Sequence, residues 1–469
     1  MNSELTDILD GLPDDERKQP EAALGEILRE LAGKSVPGHR ALRIWSLGTL
    51  QVRLMSRKLI CAIEQSFIQD HERKAMAKHR TALAAAHDVF KTMGYLRGAV
   101  AKAGQALAAW PRVAPDQVCE LLDALHFQAP PMHYSLIEAQ LENELGAPPD
   151  EIFAEFETEA FAAASIGQVH MARLKTGEKV AVKVQYPGIA RTITSDIKNL
   201  KTLIFPLRLT KDGDNHIAKL DDIHETLTRE ADYEAEARTT RKIAEIFADD
   251  DDIVIPTVFE DYSTSKVLVT EYIDGDHVAG YMDRQPSQAK IDSAAAKFFG
   301  ATSRMFYGAR MVWSDPSPGN VIFLRDGRVA LIDFGCCYEF SPGDWSLIER
   351  GTQEFVSEHK VSHEVMAEGM DLDMESYLSR GDAVQIVHEF TDWTWEPILT
   401  DGPFAVDEKY MMRGIEMLKE ITSRKLTRSM TFNTWTNRLF LGARSLLFRM
   451  GSTANLKTPH DRELRRAGF

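Results

Sequence analysis

Basic residues are in short supply in this 469-residue chain, where 55 Lys and Arg stand against 71 Asp and Glu for a formal charge of −16. Binding to a phosphate backbone needs clustered cations, so nucleic acid is not an expected partner. Cysteine is scarce too. Cys61, Cys119, Cys336 and Cys337 have neither metal-ligand spacing nor a secretory context, which argues against a disulfide framework and fits a reducing cytoplasm. No run reaches the roughly 18 consecutive apolar residues that a spanning helix requires. The opening residues, MNSELTDILDGLPDDERKQP, lack the basic start and apolar stretch of a signal peptide. The expected location is cytoplasmic, with any membrane contact confined to a peripheral surface. Low-complexity tracts are missing as well, and a composition of 44% hydrophobic and 27% charged residues suits a globular protein.

The length suits a two-lobed catalytic unit with an added N-terminal module. Residues 1–38 read as an acidic lead ending at Pro37-Gly38. Residues 39–150 are rich in Ala, Leu, Arg and Lys without strand-like alternation, and read as a helical extension interrupted at Ala129-Pro130-Pro131. One helix is expected from about Ser135 to Leu145, stopping at Gly146. The pattern then changes. SIGQVHMARL, KTGEK and VAVKVQY read as strand, turn, strand, opening a β-rich lobe over 151–274 that is interrupted by helix between Pro187-Gly188 and about Ala248. DIVIPTVFEDY and SKVLVTEYIDG are two further strand candidates. In 275–469, VIFL and RVALIDF flank Gly327 as short strands, and everything after about Pro342 has a helical pattern.

The chemistry is carried by an order of residues. Lys183 lies in the apolar strand VAVKV, Asp315 and Asn320 in SDPSPGN, and Asp333 in LIDFG, directly after a strand. Phosphoryl transfer asks for a cation on the phosphates, a carboxylate near the attacking hydroxyl, and an amide plus a carboxylate holding Mg²⁺. The Asp315-to-Asn320 spacing equals that of the kinase catalytic loop. Each piece alone is weak, because a strand lysine is usually a surface residue and Asp, Pro, Gly and Asn make ordinary turns. Together and in this order they point to Mg-ATP.

At these residues the sequence resembles the UbiB/AarF family of atypical kinase-like proteins, which includes the branch supporting coenzyme Q biosynthesis in mitochondria. KAGQ, with Lys102, Gly104 and Gln105, matches the family's K-x-G-Q signature; FAAASIGQVH matches its alanine-rich loop over Ala162, Ala163, Ala164 and Ser165. KVQYPG carries Lys183. READYEAEA carries the E-x-D pair Glu230 and Asp232, followed by Glu236, which the resemblance makes the ion-pair partner of Lys183. The likeness runs motif by motif from about Leu96 to Tyr338. It implies a bilobal, α+β protein-kinase-like fold, with the K-x-G-Q helix lying across the substrate pocket and Lys102 near Glu230 and Asp232. Glu271 and Ile273, after the strand VLVT, are the expected backbone contacts to adenine, with the plain end of an edge strand as the alternative.

Two positions depart from the family. It usually has a histidine two residues before the catalytic aspartate and another two after it, where this chain has Trp313 and Ser317. The first histidine is normally a brace, and Trp313 is expected to fill its space with an apolar ring. The alanine-rich loop has a consequence of its own, since each Cβ penalises the φ > 0 conformations that let a glycine loop close on phosphates. An alternative for this loop is a helix N-terminus capped by Ser165, which would itself suit an anion. In the acidic segment, Asp232 and Glu236 share a helix face whereas Glu230 and Asp232 do not, so both members of E-x-D turn inward only if the helix starts or bends there. A solvated helix face is the plainer reading.

The expected function is therefore a Mg-dependent ATPase or small-molecule kinase supporting quinone or isoprenoid-lipid metabolism, with ATP, Mg²⁺ and a quinone precursor or other lipid as partners. The alternative is a nucleotide-gated scaffold of a lipid-biosynthesis complex that turns nothing over. Between Pro37 and Ala62 there is no acidic residue, while Arg40, Arg43, Arg53, Arg57 and Lys58 accompany Leu42, Trp45, Val52, Met55 and Leu59 at helical spacing. That composition suits either an interfacial helix or one docked on the lobes.

Overall fold

The computed structural model describes residues 132–164, 166–204, 213–359, 361–369, 379, 381–424, 426 and 431–469. Lys102, Gly104, Gln105, Ser165 and the basic segment between Pro37 and Ala62 lie outside the described residues. The chain divides into two compact units between Ala231 and Asp232. By compactness, the strand leading to Glu271 thus falls in the second unit, upstream of the 274/275 boundary expected from the sequence.

In the first unit, helix α1 (Tyr134–Leu145) starts where the His133 ring accepts from Ser135 N, and ends at Gly146, whose φ of 80° satisfies the last turn through a bond to Glu142 O. After a single turn, α2 (Pro149–Ile152), the chain forms β1 (Phe153–Phe156), which the sequence pattern did not reveal. Three further strands follow: β2 (Ala162–Ala163), β3 (Gly167–Leu174) and β4 (Lys179–Gln185). Strand β3 is central, with β1, β2 and β4 all antiparallel to it. Alternation on β4 buries Val180, Val182 and Val184 completely and leaves Ala181 and Lys183 on the other side. Helices α3 (Ile189–Ile204) and α4 (Gly213–Glu230) follow among the described residues of this unit.

The alanine-rich segment is a hairpin, not a helix N-terminus. Ala162 and Ala163 pair with Val169 and Gln168, and Ala164 N donates to Gly167 O at 2.9 Å. Among the described residues positive φ at a non-glycine occurs only at Gln285, Arg310 and His359, so these alanines sit in ordinary backbone. The chain passes this point as strand because β3 offers an open ladder edge to residues whose side chains are too small to object.

The second unit opens on α5 (Tyr233–Ile246) and β5 (Ile253–Val254). The expected strand over DIVIPTVFEDY is cut to two residues: Pro256 brings no N–H to the ladder, and the chain proceeds to a 3₁₀ turn at Glu260–Tyr262. Then come β6 (Val267–Glu271), α6 (Val278–Asp283), α7 (Gln288–Tyr307), β7 (Met311–Trp313), β8 (Val321–Phe323), β9 (Val329–Leu331) and β10 (Cys337–Glu339). Strands β8 and β9 form the expected pair around Gly327, joined by β5 in parallel; β7 and β10 form a separate antiparallel pair. Among the described residues six helices follow, α8 (Pro342–Glu358), α9 (His363–Gly369), α10 (Gly381–Leu399), α11 (Glu408–Ser423), α12 (Thr431–Met450) and α13 (Lys457–Arg466). One core joins α7, β7–β9 and the later helices around Phe298, Met305, Trp313, Phe323, Trp393 and Leu446. Among the described residues no helix is long and apolar enough to cross a membrane.

Candidate functional site

The short β7 strand ends at Trp313, and the chain turns through Ser314 and Asp315 into the loop that carries Asn320. Ser314 fixes this exit twice, its N–H and hydroxyl both donating to Cys336 O at 2.9 and 2.8 Å. Asn320 N donates to Ser317 O, and Asn320 Nδ2 to Asp315 O at 2.9 Å. The amide of Asn320 is thus spent on holding the Asp315 backbone, which leaves its Oδ1 as the atom able to ligate a cation. Ile332 N donates to Asn320 O at 3.1 Å, tying the loop to the end of β9, one residue before Asp333.

Asp333 accepts from Gly335 N at 3.0 Å through Oδ1. Glu236, buried in the first turn of α5, reaches the same place: a Cβ built on Gly335 would stand 3.1 Å from Glu236 Oε2 and 3.4 Å from Asp333 Oδ1. Two residues on, burial pushes the Cys337 thiol well above its usual range, and the carboxylates of Asp333, Glu236, Glu339 and Asp315 push it further. Four carboxylates of the second unit thus lie within electrostatic reach of this thiol; Glu236 is buried, and Glu339 is exposed and paired with Lys242. Among the described residues no three His, Cys, Asp or Glu side chains form a complete metal cage. One carboxylate, one amide and nucleotide phosphates are the donor set that Mg²⁺ usually takes, and Asp333 and Asn320 fit it.

Asp232 caps α5, its Oδ1 accepting from Ala235 N at 2.9 Å, while Oδ2 lies 4.0 Å from Arg238. The helical run does break within E-x-D: Glu230 ends α4, and Asp232 stands outside α5 as its cap. Glu271 closes β6, where its N–H donates to Thr257 O at 2.8 Å and its carboxylate accepts from Thr257. Ile273 lies two residues further on. Gly275 follows, where a Cβ would strike Ile322 at 2.5 Å, so only glycine lets this segment lie against β8.

In the first unit, Lys183 faces away from the buried valines of β4, in register with Val169. Gln185, on the Lys183 face, donates to Ala231 O at 3.0 Å and so brings the end of α4, where Glu230 is buried, to this strand. The Lys183–Glu236 pair expected from the resemblance links one unit to the other and remains a proposal.

Several contributors escaped the sequence reading. Trp313, fully buried, donates its indole N–H to Asp333 O at 2.8 Å, so it is more than an apolar filler. Gly442 of α12 lies so close to the loop after β7 that a Cβ would meet Pro316 Cγ at 2.8 Å. In the alanine-loop motif, Gln168 and His170 form a buried chain: Gln168 Oε1 accepts from Met132 N at 2.7 Å, Gln168 Nε2 lies 3.0 Å from His170 Nε2, and His170 Nδ1 lies 2.8 Å from Glu157 O. The G-Q-V-H letters were visible, but nothing in their spacing told which partners they meet. A separate recess of about 420 Å³ lies between α7 and α13, around Asp292, Lys297, Arg304 and Glu463. It contains none of the residues singled out by sequence. Its buried Arg304 is matched by Asp250 at 2.8 Å and by Asp249.

Comparison with known proteins places these features in company. The family model described as the ABC1 atypical kinase-like domain matches residues 124–388, more than half of the chain. A Synechocystis protein, slr0889, is 36% identical over 253 residues, covering 51% of this chain and 62% of the relative. The mitochondrial atypical kinase coq-8 of Caenorhabditis elegans is 34% identical over 258 residues, covering 53% of this chain and 33% of the relative. This chain therefore spans less than two thirds of these relatives' own length. Among solved structures, the Rv3197–erythromycin complex from Mycobacterium tuberculosis superposes with a TM-score of 0.55 at 25% identity, covering 83% of this chain and 98% of that one.

Proposed function

The chain belongs to the ABC1 atypical kinase-like family, and we propose that it binds Mg-ATP and works as a Mg-dependent ATPase or small-molecule kinase supporting quinone or isoprenoid-lipid metabolism. Its fold is the bilobal α+β protein-kinase-like one. In this reading Lys183 neutralises phosphate charge and Glu236 holds Lys183 in place. Asn320 Oδ1 and the Asp333 carboxylate take Mg²⁺, which supplies charge neutralisation across the phosphates, and Asp315 orients a water or hydroxyl nucleophile. The backbone of Glu271 and Ile273 meets adenine, and the Ala162–Ala163 hairpin with Ala164 and Ser165 covers the phosphates. The lobes divide functionally near residue 274, and the K-x-G-Q residues Lys102, Gly104 and Gln105 restrain the site together with Glu230 and Asp232.

The observation that carries the proposal is the tied loop: Asn320 Nδ2 is committed to Asp315 O, Asn320 O takes the N–H of Ile332 one residue before Asp333, and Glu236 and Asp333 meet at Gly335. Asn320 Oδ1 and the Asp333 carboxylate are the ligand pair this arrangement offers a divalent cation. The quinone or lipid partner rests on the family resemblance, supported by the coq-8 name of one relative. Asp333→Asn should abolish Mg-dependent ATP binding in calorimetry with the melting temperature nearly unchanged, whereas Asp315→Asn should spare binding and stop phosphate release. Equal Mg-ATP affinity in Asp333→Asn and wild type would sink the assignment.

A second reading, the non-catalytic scaffold, draws on Trp313 and Ser317 standing where the family has histidines. It predicts saturable ATP binding with no Asp315-dependent turnover, so the same pair of variants separates the two.

A further inference from the structure

We propose that Trp313 is a positioning residue for the metal carboxylate: its indole N–H holds the main-chain carbonyl of Asp333 and so sets where the Asp333 side chain stands. The inference deepens the Mg-ATP reading and rests on it.

An indole offers one donor and no acceptor, so a buried Trp at hydrogen-bond distance from a carbonyl has a single polar use. Trp313 Nε1 is 2.8 Å from Asp333 O, and the side chain has no solvent exposure. The surrounding contacts make this bond one strut of a small frame. Cys337 stands opposite Trp313 in the β7–β10 ladder, and Ser314 donates twice to Cys336 O. Residues 333–337 thus wrap around Trp313, held at Asp333 by the indole and at Cys336 by Ser314. On the other side, Ile332 N is held by Asn320 O at 3.1 Å. The peptide after Asp333 and the one before Ile332 are therefore held, and between them the Asp333 carboxylate accepts from the Gly335 N–H. The rings of Phe298, with its centroid 6.4 Å away in an edge arrangement, and Phe334, at 6.0 Å, pack beside the indole without touching its donor bond to Asp333 O. A phenylalanine at 313 would fill most of the same volume but could not donate.

The test is a calorimetric Mg-ATP titration of the full chain, with thermal melting recorded beside it, on three variants. Trp313→Phe keeps an apolar ring and removes the donor; Trp313→His restores a ring N–H; Phe298→Leu loosens the packing around Trp313 and keeps its N–H. The expected result is Mg-ATP affinity about tenfold weaker in Trp313→Phe, or ~1.4 kcal/mol, with Mg-free ATP affinity unchanged. Trp313→His should bind Mg-ATP more tightly than Trp313→Phe even where it melts lower, and Phe298→Leu should melt lower at wild-type Mg-ATP affinity. The inference is overturned if Trp313→Phe binds Mg-ATP as wild type does, or if affinity falls in step with melting temperature across the variants. Should Trp313→Phe not fold, Trp313→His against Phe298→Leu decides by the same rule, with weaker Mg²⁺ dependence in Phe298→Leu counting against the proposal. A wild-type chain without Asp333-dependent Mg-ATP binding would remove the site itself, a failure visible before any Trp313 variant is measured.

Discussion

At the scale of single residues, Glu236 and Asp333 approach one another at Gly335, and with Glu339 and Asp315 they add to burial in raising the pKa of the Cys337 thiol. Gly335 lies at the point where two of them approach, and its lack of a side chain is what lets Glu236 and Asp333 share that point. Gly335→Ala should therefore weaken Mg-ATP binding by about tenfold, or ~1.4 kcal/mol, with a smaller effect on ATP alone; a titration giving wild-type affinity for both would mean the methyl is absorbed elsewhere. That Asp315, Asn320 and Asp333 belong to one neighbourhood was legible because each motif is contiguous and follows a short strand, and the loop bonds of Asn320 join them. Cys337 and Trp313 were not, since their meaning depends on β7 pairing with β10, and three-residue strands leave no period to read. Ala164 carries a different lesson. Its Cβ argues against a phosphate-hugging loop, and its place beside the β2–β3 hairpin agrees with ordinary strand backbone. Ala164→Gly should alter the balance between ATP and ADP affinity, with tighter ATP the expected direction, and identical affinities for both nucleotides would show that the loop does not govern the phosphates.

Elements place these residues, and three of them offer separate handles. Helix α12 presses on the loop after β7 at Gly442, where an added methyl would overlap Pro316. Gly442→Ala should cost about 1–3 kcal/mol through overpacking and lower turnover more than ATP binding, because the loop carries Asp315; an unshifted melting curve with unchanged kcat would show that α12 yields freely. Strand β3 and helix α13 each contain a buried histidine. Burial lowers the pKa of His170 against the opposing pull of its bond to Glu157 O, and burial likewise lowers that of His460 against the pull of Asp461. The folded chain keeps both rings neutral at pH values where the unfolded chain takes up protons, so stability is full above the unfolded value near 6.5 and falls as pH drops toward the depressed folded values. Each ring contributes at most ~1.4 kcal/mol per pH unit across that window. His460→Gln should flatten the decline in melting temperature between about pH 6.5 and 5, and a decline as steep as wild type would assign the acid sensitivity elsewhere. The hairpin, α1 and the β8–β9 pair were readable from alternation and from Gly146 and Gly327, whereas β1 was not, since Phe153–Phe156 lacks a flanking turn signal and is held by β3 rather than by its own propensity.

For the whole molecule, the question is how a chain with a net charge of −16 would reach a lipid substrate. Its average field repels an anionic bilayer, so contact has to come from a local exception. The segment between Pro37 and Ala62 is that exception in sequence, with five cations, no acid, and Trp45 among the apolar residues at helical spacing. Near an anionic surface each cation contributes about 1 kcal/mol, an attraction that fades within a Debye length of about 10 Å at 0.1 M salt. If this segment is the membrane contact, anionic vesicles should pull the protein down at low salt and raise its ATPase rate, and high salt should release it. Reversing Arg53, Arg57 and Lys58 to Glu should abolish both effects while leaving Mg-ATP affinity in the absence of vesicles unchanged, because none of the three is a residue of the proposed nucleotide site. A helix docked on the lobes predicts otherwise: its arginines would be solvated and its apolar stripe already covered, so sedimentation would be absent at low salt or indifferent to the three reversals. Neutral vesicles supply the last discrimination, since binding that persists on them would come from Trp45 and its apolar neighbours rather than from charge.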